Sequence, residues 1–219
     1  MLITLKLLNR STLKNVSFVI LLLKMCFVFG QKKIVVIDPG HGGIDSGAIG
    51  VNGTFEKDVV LKVAHEILNL NKYLFDNELD IYLTRYTNTL ISLSDRSRLA
   101  KSLKADAFVS LHCNASQTNS RGMEVYVHNS QNPNSKTSVA LGVSILNEST
   151  QKLGFKKRGV KIANFQVLRE TIPYCSSILV EMGFMSNTDE ANYFLETKNV
   201  EAMALAILMG VKDYSNAGL

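Results

Sequence analysis

From Lys33 onward, short apolar runs alternate with stretches whose apolar positions follow a helical spacing. Residues 34–38 (IVVID) form a continuous apolar run that stops at Pro39-Gly40, the pattern of a strand buried on both faces. Residues 56–73 place apolar side chains at 59, 60, 63, 64, 67, 68 and 70, which lines one face of a helix. Residues 81–84 predict a second strand, and 93–103 a helix with Ser92 or Ser94 placed to cap it. Residues 107–112 (AFVSLH) and 123–128 (MEVYVH) predict a third and a fourth strand. Residues 130–137 are polar, include Pro133 and read as a loop. A helix over 138–153 then closes on Gly154, and 177–182 (SILVEM) predict a further buried strand. Asn187 and Glu190 have capping-box spacing for a helix reaching Leu195, and a last helix covers 199–214.

Strands that alternate with helices predict an α/β fold: a single domain with a twisted, mostly parallel central sheet and helices on both faces. The chemistry of such sheets gathers where the strands end, in the loops beyond their carboxyl termini. Four residues share that position. His41 lies three residues after the first strand, Glu56 opens the first helix, His112 ends the third strand, and Glu181 lies near the end of the strand 177–182. Two imidazoles and one carboxylate are a known ligand set for catalytic zinc, and a second carboxylate nearby can take a proton from water. Glu56 is the better ligand and Glu181 the better base, although spacing alone does not separate the two roles.

Each of these residues also has an ordinary reading. A single His or Glu in a loop is most often just solvated, and Glu56 is favourable negative charge at a helix N-terminus. Glu181 is harder to dismiss, because a carboxylate after the apolar Ile178, Leu179 and Val180 needs a partner. The glycines around His41 do not make a nucleotide cradle: the third glycine of G-x-G-x-x-G falls on Asp45, and the chain has no G-K-[ST]. They suit a sharp turn instead. His65-Glu66 begins like a zincin helix, but position 69 is Asn, so that motif is absent. His65 then reads as a helix-boundary residue and His128 as a loop residue. Cys113 follows His112 on a strand and so points to the opposite face.

Composition changes the picture in one place. The formal net charge of +5 invites a nucleic-acid partner, yet Lys6, Arg10, Lys14 and Lys24 all lie in residues 1–30, which hold no acidic residue. Without those four, 20 basic residues stand against 19 acidic ones and no nucleic-acid partner is indicated. Positive residues before an apolar run from Val16 to Phe29 predict a cleaved export signal over residues 1–30, with Val28 and Gly30 before the cut. The run is shorter than the ~20 residues that span a bilayer, so stable membrane insertion after cleavage is not expected. Lys24 and the bulky residues near the cut are what would favour an uncleaved anchor. Of the cysteines in residues 31–219, Cys113 and Cys175, two separate buried thiols are favoured over one disulfide.

The segments VVIDPGHGGIDSGAIG, FEKDVVLKVA, YLTR, DAFVSLHCNA, RGMEVYV and VLRETIPYCSSILVEMGFMSNTDEANYF, in this order, resemble the catalytic domain of zinc-dependent N-acetylmuramoyl-L-alanine amidases of the amidase 3 group. The resemblance runs from about Lys33 to Leu195. It implies zinc held by His41, Glu56 and His112, with Glu181 as the catalytic carboxylate. It implies peptidoglycan as the substrate, cut at the amide between N-acetylmuramic acid and L-alanine, by an enzyme exported to the cell envelope. Two positions depart from the family pattern, Cys113 where Ala is commoner and Lys101 where Asn usually follows Ala, and neither touches the expected ligands. Some members carry an inserted helix that blocks the metal until an activator removes it. The stretch from Val127 to Arg158 has room for one ordinary helix and a loop, so a site that is not self-blocked is expected.

Overall fold

The apolar runs pair into one six-stranded sheet, ordered β2-β1-β3-β6-β4-β5, in a computed structural model that describes residues 14–19 and 32–217. The strands are β1 (Ile34–Pro39), β2 (Asp80–Leu83), β3 (Ala107–Asn114), β4 (Met123–Val127), β5 (Lys157–Ile162) and β6 (Ser176–Phe184). The helices of this unit are α1 (Glu56–Leu74), α2 (Leu93–Leu103), α3 (Asn134–Leu153), α4 (Gln166–Thr171), α5 (Thr188–Tyr193) and α6 (Thr197–Asn216). Residues 14–19 are helical and belong to a separate unit. The rest of the expected export signal lies outside the described residues. No helix among the described residues is long and apolar enough to cross a membrane.

The sheet is mostly parallel, as expected: β1 pairs in parallel with β2 and β3, β3 with β6, and β4 with β5. The exception is β4 against β6, which is antiparallel. The chain passes from β3 to β4 through residues 115–122 alone, fewer than the dozen or so that a parallel crossover requires, so β4 runs back along the sheet.

Alternation along the strands sends side chains into two cores. Val35, Ile37, Val109, Leu111, Val125 and Val180 pack under α1, α3 and α6, where Val63, Ile67, Leu141, Ile145, Met203 and Ile207 are almost fully buried. Val36, Phe108 and Leu179 face the other way, against Ala100 of α2 and Val167 and Leu168 of α4. Cys113 belongs to the first core and Cys175 to the second; both are free thiols, the outcome favoured from sequence. The second core is the smaller, and it stops short. Beyond Val36, Phe108 and Leu179, the next positions on that face are Asp38, Ser110, His112 and Glu181, all polar.

Three elements differ from the sequence pattern. β5 (KRGVKI) has no counterpart in the sequence pattern, because it is an edge strand, exposed or half-buried throughout and rich in Lys and Arg. α4 is only six residues long, too short for a helical period to register. α3 starts at Asn134 rather than 138, since its first turn is polar and follows Pro133, which is tolerated at a helix start. The expected cap by Asn187 forms, accepting from Glu190 N, but the helix is the short α5 and the Glu190 carboxylate turns elsewhere.

Candidate metal centre

β1 ends at Pro39, and the chain then needs a tight turn to bring His41 back over β3. Gly40 permits it: a Cβ at that position would lie 2.3 Å from the His112 ring. His41 itself has φ 57°, a left-handed conformation that costs a side-chain-bearing residue roughly 1–2 kcal/mol. Two buried arginines hold the turn against that cost. Arg85 donates from Nε to the Pro39 carbonyl at 3.0 Å and from Nη2 to the Gly40 carbonyl at 2.8 Å. Arg96 donates to the carbonyls of Pro39 and His41, both at 2.7 Å. Arg96 is anchored in turn by Asp38, whose buried carboxylate also accepts from Thr84 and Ser110.

The turn delivers His41 to a shared point. Its Nδ1 meets Asp45 Oδ2 at 2.8 Å, which leaves Nε2 facing Glu56 Oε1 at 3.1 Å. His112 brings Nδ1 to 2.9 Å from the same oxygen, and the two rings meet edge to face with centroids 4.9 Å apart. Glu56, in the first turn of α1, is fixed by backbone donors, Cys113 N to Oε1 at 2.9 Å and Ala48 N to Oε2 at 2.7 Å. Donor atoms of His41, Glu56 and His112 all lie within 4.8 Å of one another, the arrangement of a possible metal site. Ligands of one tetrahedral zinc stand about 3.3 Å apart, from bond lengths near 2.05 Å, so the observed separations suit that ion. The Asp45 carboxylate behind His41 is the usual outer support of a metal-binding imidazole.

Charge reinforces the set. Burial alone would push the His41 imidazole down, but hydrogen bonding to Glu56, with Asp45 behind it, raises it to about 9. Burial opposes ionisation of Glu56 as well, and the imidazoles of His112 and His41 outweigh it, holding the carboxyl well below the usual range.

Glu181 stands beside this set, directly opposite His112 across the β3–β6 pair. Its Oε2 is buried and has no hydrogen-bond partner. Burial pushes its carboxyl up to about 7; His112 opposes the rise, and the Glu56 and Glu124 carboxylates add to it. His41, His112 and Glu181 line one cleft of about 550 Å³, walled by Leu90, Ile91 and Leu93 on one side and Phe165 and Leu179 on the other. All four residues singled out from the sequence therefore meet in one place.

Sequence reasoning missed Asp38, Asp45, Arg96 and Glu124. Asp38 reads only as the end of the first strand and Asp45 only as part of the glycine turn, and a buried arginine such as Arg96 has no local signature. Arg85 proves to be a clamp on the turn. Asn114 donates to Glu124, and Arg169 bonds Asn164 on the surface. His65 reaches the Tyr86 carbonyl at 2.9 Å, as a boundary residue would. His128 follows β4, its Nδ1 buried without a partner. Because Arg96 and Asp38 are both almost fully buried, the Arg96→Ala variant is expected to lose about 3–5 kcal/mol of stability by urea unfolding. A loss below about 1 kcal/mol would contradict the clamp.

Comparison with known proteins places the chain in a family. A family model described as N-acetylmuramoyl-L-alanine amidase matches residues 35–213. The endolysin of Bacillus phage SPP1 is 38% identical over 188 residues, covering 85% of this chain and 67% of that protein. The N-acetylmuramoyl-L-alanine amidase AmiA of Escherichia coli K12 is 30% identical over 84% of this chain and 77% of its own length. Among solved structures, the catalytic domain of the amidase CwlV from Bacillus (Paenibacillus) polymyxa var. colistinus superposes with a TM-score of 0.76 at 33% identity. That match covers 84% of this chain and 98% of that one.

Proposed function

Since the chain belongs to the N-acetylmuramoyl-L-alanine amidase family, which its residues 35–213 match, we propose that it hydrolyses the amide joining N-acetylmuramic acid to L-alanine in peptidoglycan. One observation carries the mechanism: two imidazoles and a carboxylate converge where a second carboxylate, Glu181, lines the same cleft with a buried oxygen unpartnered. Zinc is the ion proposed, held by His41, Glu56 and His112; when bound it supplies Lewis acidity toward the amide carbonyl and toward water.

The chain's own residues do the rest. Asp45 fixes the His41 ring so that Nε2 faces inward. Glu56, tied to two backbone donors, contributes a carboxylate that does not swing. Glu181 Oε2 accepts a proton from the attacking water and passes it to the departing nitrogen of L-alanine. Its burial suits this work, because a carboxyl raised toward neutrality both takes and returns a proton near neutral pH. Leu90, Leu93 and Phe165 give the cleft apolar walls beside the reacting bond.

Peptidoglycan lies outside the cytoplasm, and residues 1–30 are proposed to direct export there. The site is also proposed to work without an activator. The stretch between β4 and β5 is occupied by α3, packed on the sheet and on α6, and no residue of α3 lines the cleft. The purified protein is expected to cleave a soluble muramoyl-L-alanyl peptide unaided, to stop after chelation, and to recover when zinc is returned. Protein that stays inactive until a partner is added would overturn the open-site reading, and activity unaffected by chelation would overturn the metal.

A further inference from the structure

The polar row that carries the site does not end at Glu181. Across the antiparallel β6–β4 pair Glu181 stands opposite Glu124, so His112, Glu181 and Glu124 form one row on one face of the sheet. Glu124 is 2% exposed and fully engaged. Its Oε1 accepts from Asn114 Nδ2 at 2.9 Å and Tyr126 OH at 2.8 Å. Its Oε2 accepts from Arg158 Nε at 2.6 Å and Lys161 Nζ at 2.5 Å. A carboxylate has about four acceptor positions, so these four donors fill it.

Two cations on one carboxylate leave an excess positive charge. Neither is spent on Glu181, whose Oε2 has no partner. Both remain partly open to solvent, Arg158 at 26% and Lys161 at 39% of the side chain. Lys161 bonds only Glu124 among the described residues, and an ammonium has three donors, so two are free. Arg158 lies over the Phe184 ring, its Cζ 4.9 Å from the centroid, and its Nε is the atom bonded to Glu124. Tyr126 joins the cluster to the cleft wall, its ring edge to face with Phe165 at 5.3 Å.

Neighbouring strands lie about 4.8 Å apart, so Glu124, whose Oε2 gathers both cationic heads, stands one strand beyond Glu181 along the row. A peptide advances at most about 3.3–3.6 Å per residue. A carboxylate on the residue after L-alanine therefore lies about 6–7 Å from the nitrogen being released, within the reach of these heads. We infer that Arg158 and Lys161 form a carboxylate subsite, which selects L-alanyl peptides whose second residue carries a free carboxylate over those in which it is amidated. The inference rests on the amidase reading for the identity of the peptide. The cations are specificity determinants; the bond-breaking groups remain those at the metal.

Calorimetric binding of two peptides to the zinc-loaded full chain tests it. The peptides are an L-alanyl dipeptide with a free carboxylate on its second residue and the same dipeptide as the carboxamide. The acid is expected to bind about tenfold more tightly, the scale of one partly solvated charge-assisted contact. Lys161→Met and Arg158→Gln are each expected to bring that preference below about threefold, and Lys161→Arg to restore most of it. A purely structural role would weaken both peptides alike and leave their ratio intact. Equal binding of acid and amide to the unaltered protein, no binding of either, or a ratio unchanged in both variants would overturn the subsite. If the preference holds but wall digestion releases no peptide beginning with L-alanine, the amidase reading fails and the subsite stands.

Discussion

Replacing Glu181 by glutamine is expected to lower kcat on a muramoyl-L-alanyl peptide by about 10²–10⁴ while zinc stays bound, the range for loss of a positioned proton acceptor. The substitution keeps size and hydrogen-bonding reach, so the cleft need not collapse. It removes only the ability to take a proton at Oε2. Glu181 is not among the three residues whose donor atoms converge, and its nearest relation to them is across the strand pair with His112. Zinc content by metal analysis should therefore match the unaltered protein. The glutamine variant also has no carboxyl to desolvate, so its stability should not fall. Near-normal turnover, or loss of zinc together with turnover, would reassign the residue.

The second large effect is expected at His41. His41→Ala should lose zinc on dialysis and lose turnover with it. The fall in affinity should exceed the roughly 10–100-fold typical of changes behind a ligand. The reason is local. Glu56 is buried between two imidazoles, and removing one leaves a single ring beside a carboxylate that burial already penalises. The turn that presents His41 should persist, because Arg85 and Arg96 grip its backbone carbonyls and not its side chain. Metal analysis beside far-ultraviolet circular dichroism checks both halves: zinc gone, fold kept. Full zinc content in this variant would contradict the ligand assignment.

The two variants differ because the four site residues came to the cleft by different routes, and those routes also explain what was legible in the sequence. His112 and Glu181 lie on strands whose apolar runs stop at them, so the break in pattern marked them. His41 and Glu56 were read from their positions after a strand and at a helix start, which depend on the fold class alone. The supports behind them leave no such mark. Arg96 lies on α2 among ordinary helix residues, and only the packed structure shows it reaching Asp38 and two carbonyls of the turn. β5 was unread for a related reason. Its strand character comes from pairing with β4, not from an apolar face, and the Arg158 and Lys161 that hid it are the residues that meet Glu124.

The direction of β4 shows the same limit. Its alternating pattern identifies a strand but says nothing of orientation, which the short link after β3 decides. That reversal sets Glu124 opposite Glu181 and so extends the polar row beyond the metal.

The most direct measurement is mass spectrometry of purified peptidoglycan after digestion with the zinc-loaded protein. The expected products are free stem peptides that begin with an unblocked L-alanine, together with glycan strands whose muramic acid carries a free lactyl carboxylate. Peptides cut within the stem, sugars cleaved between rings, or wall that binds the protein and stays intact would contradict the account.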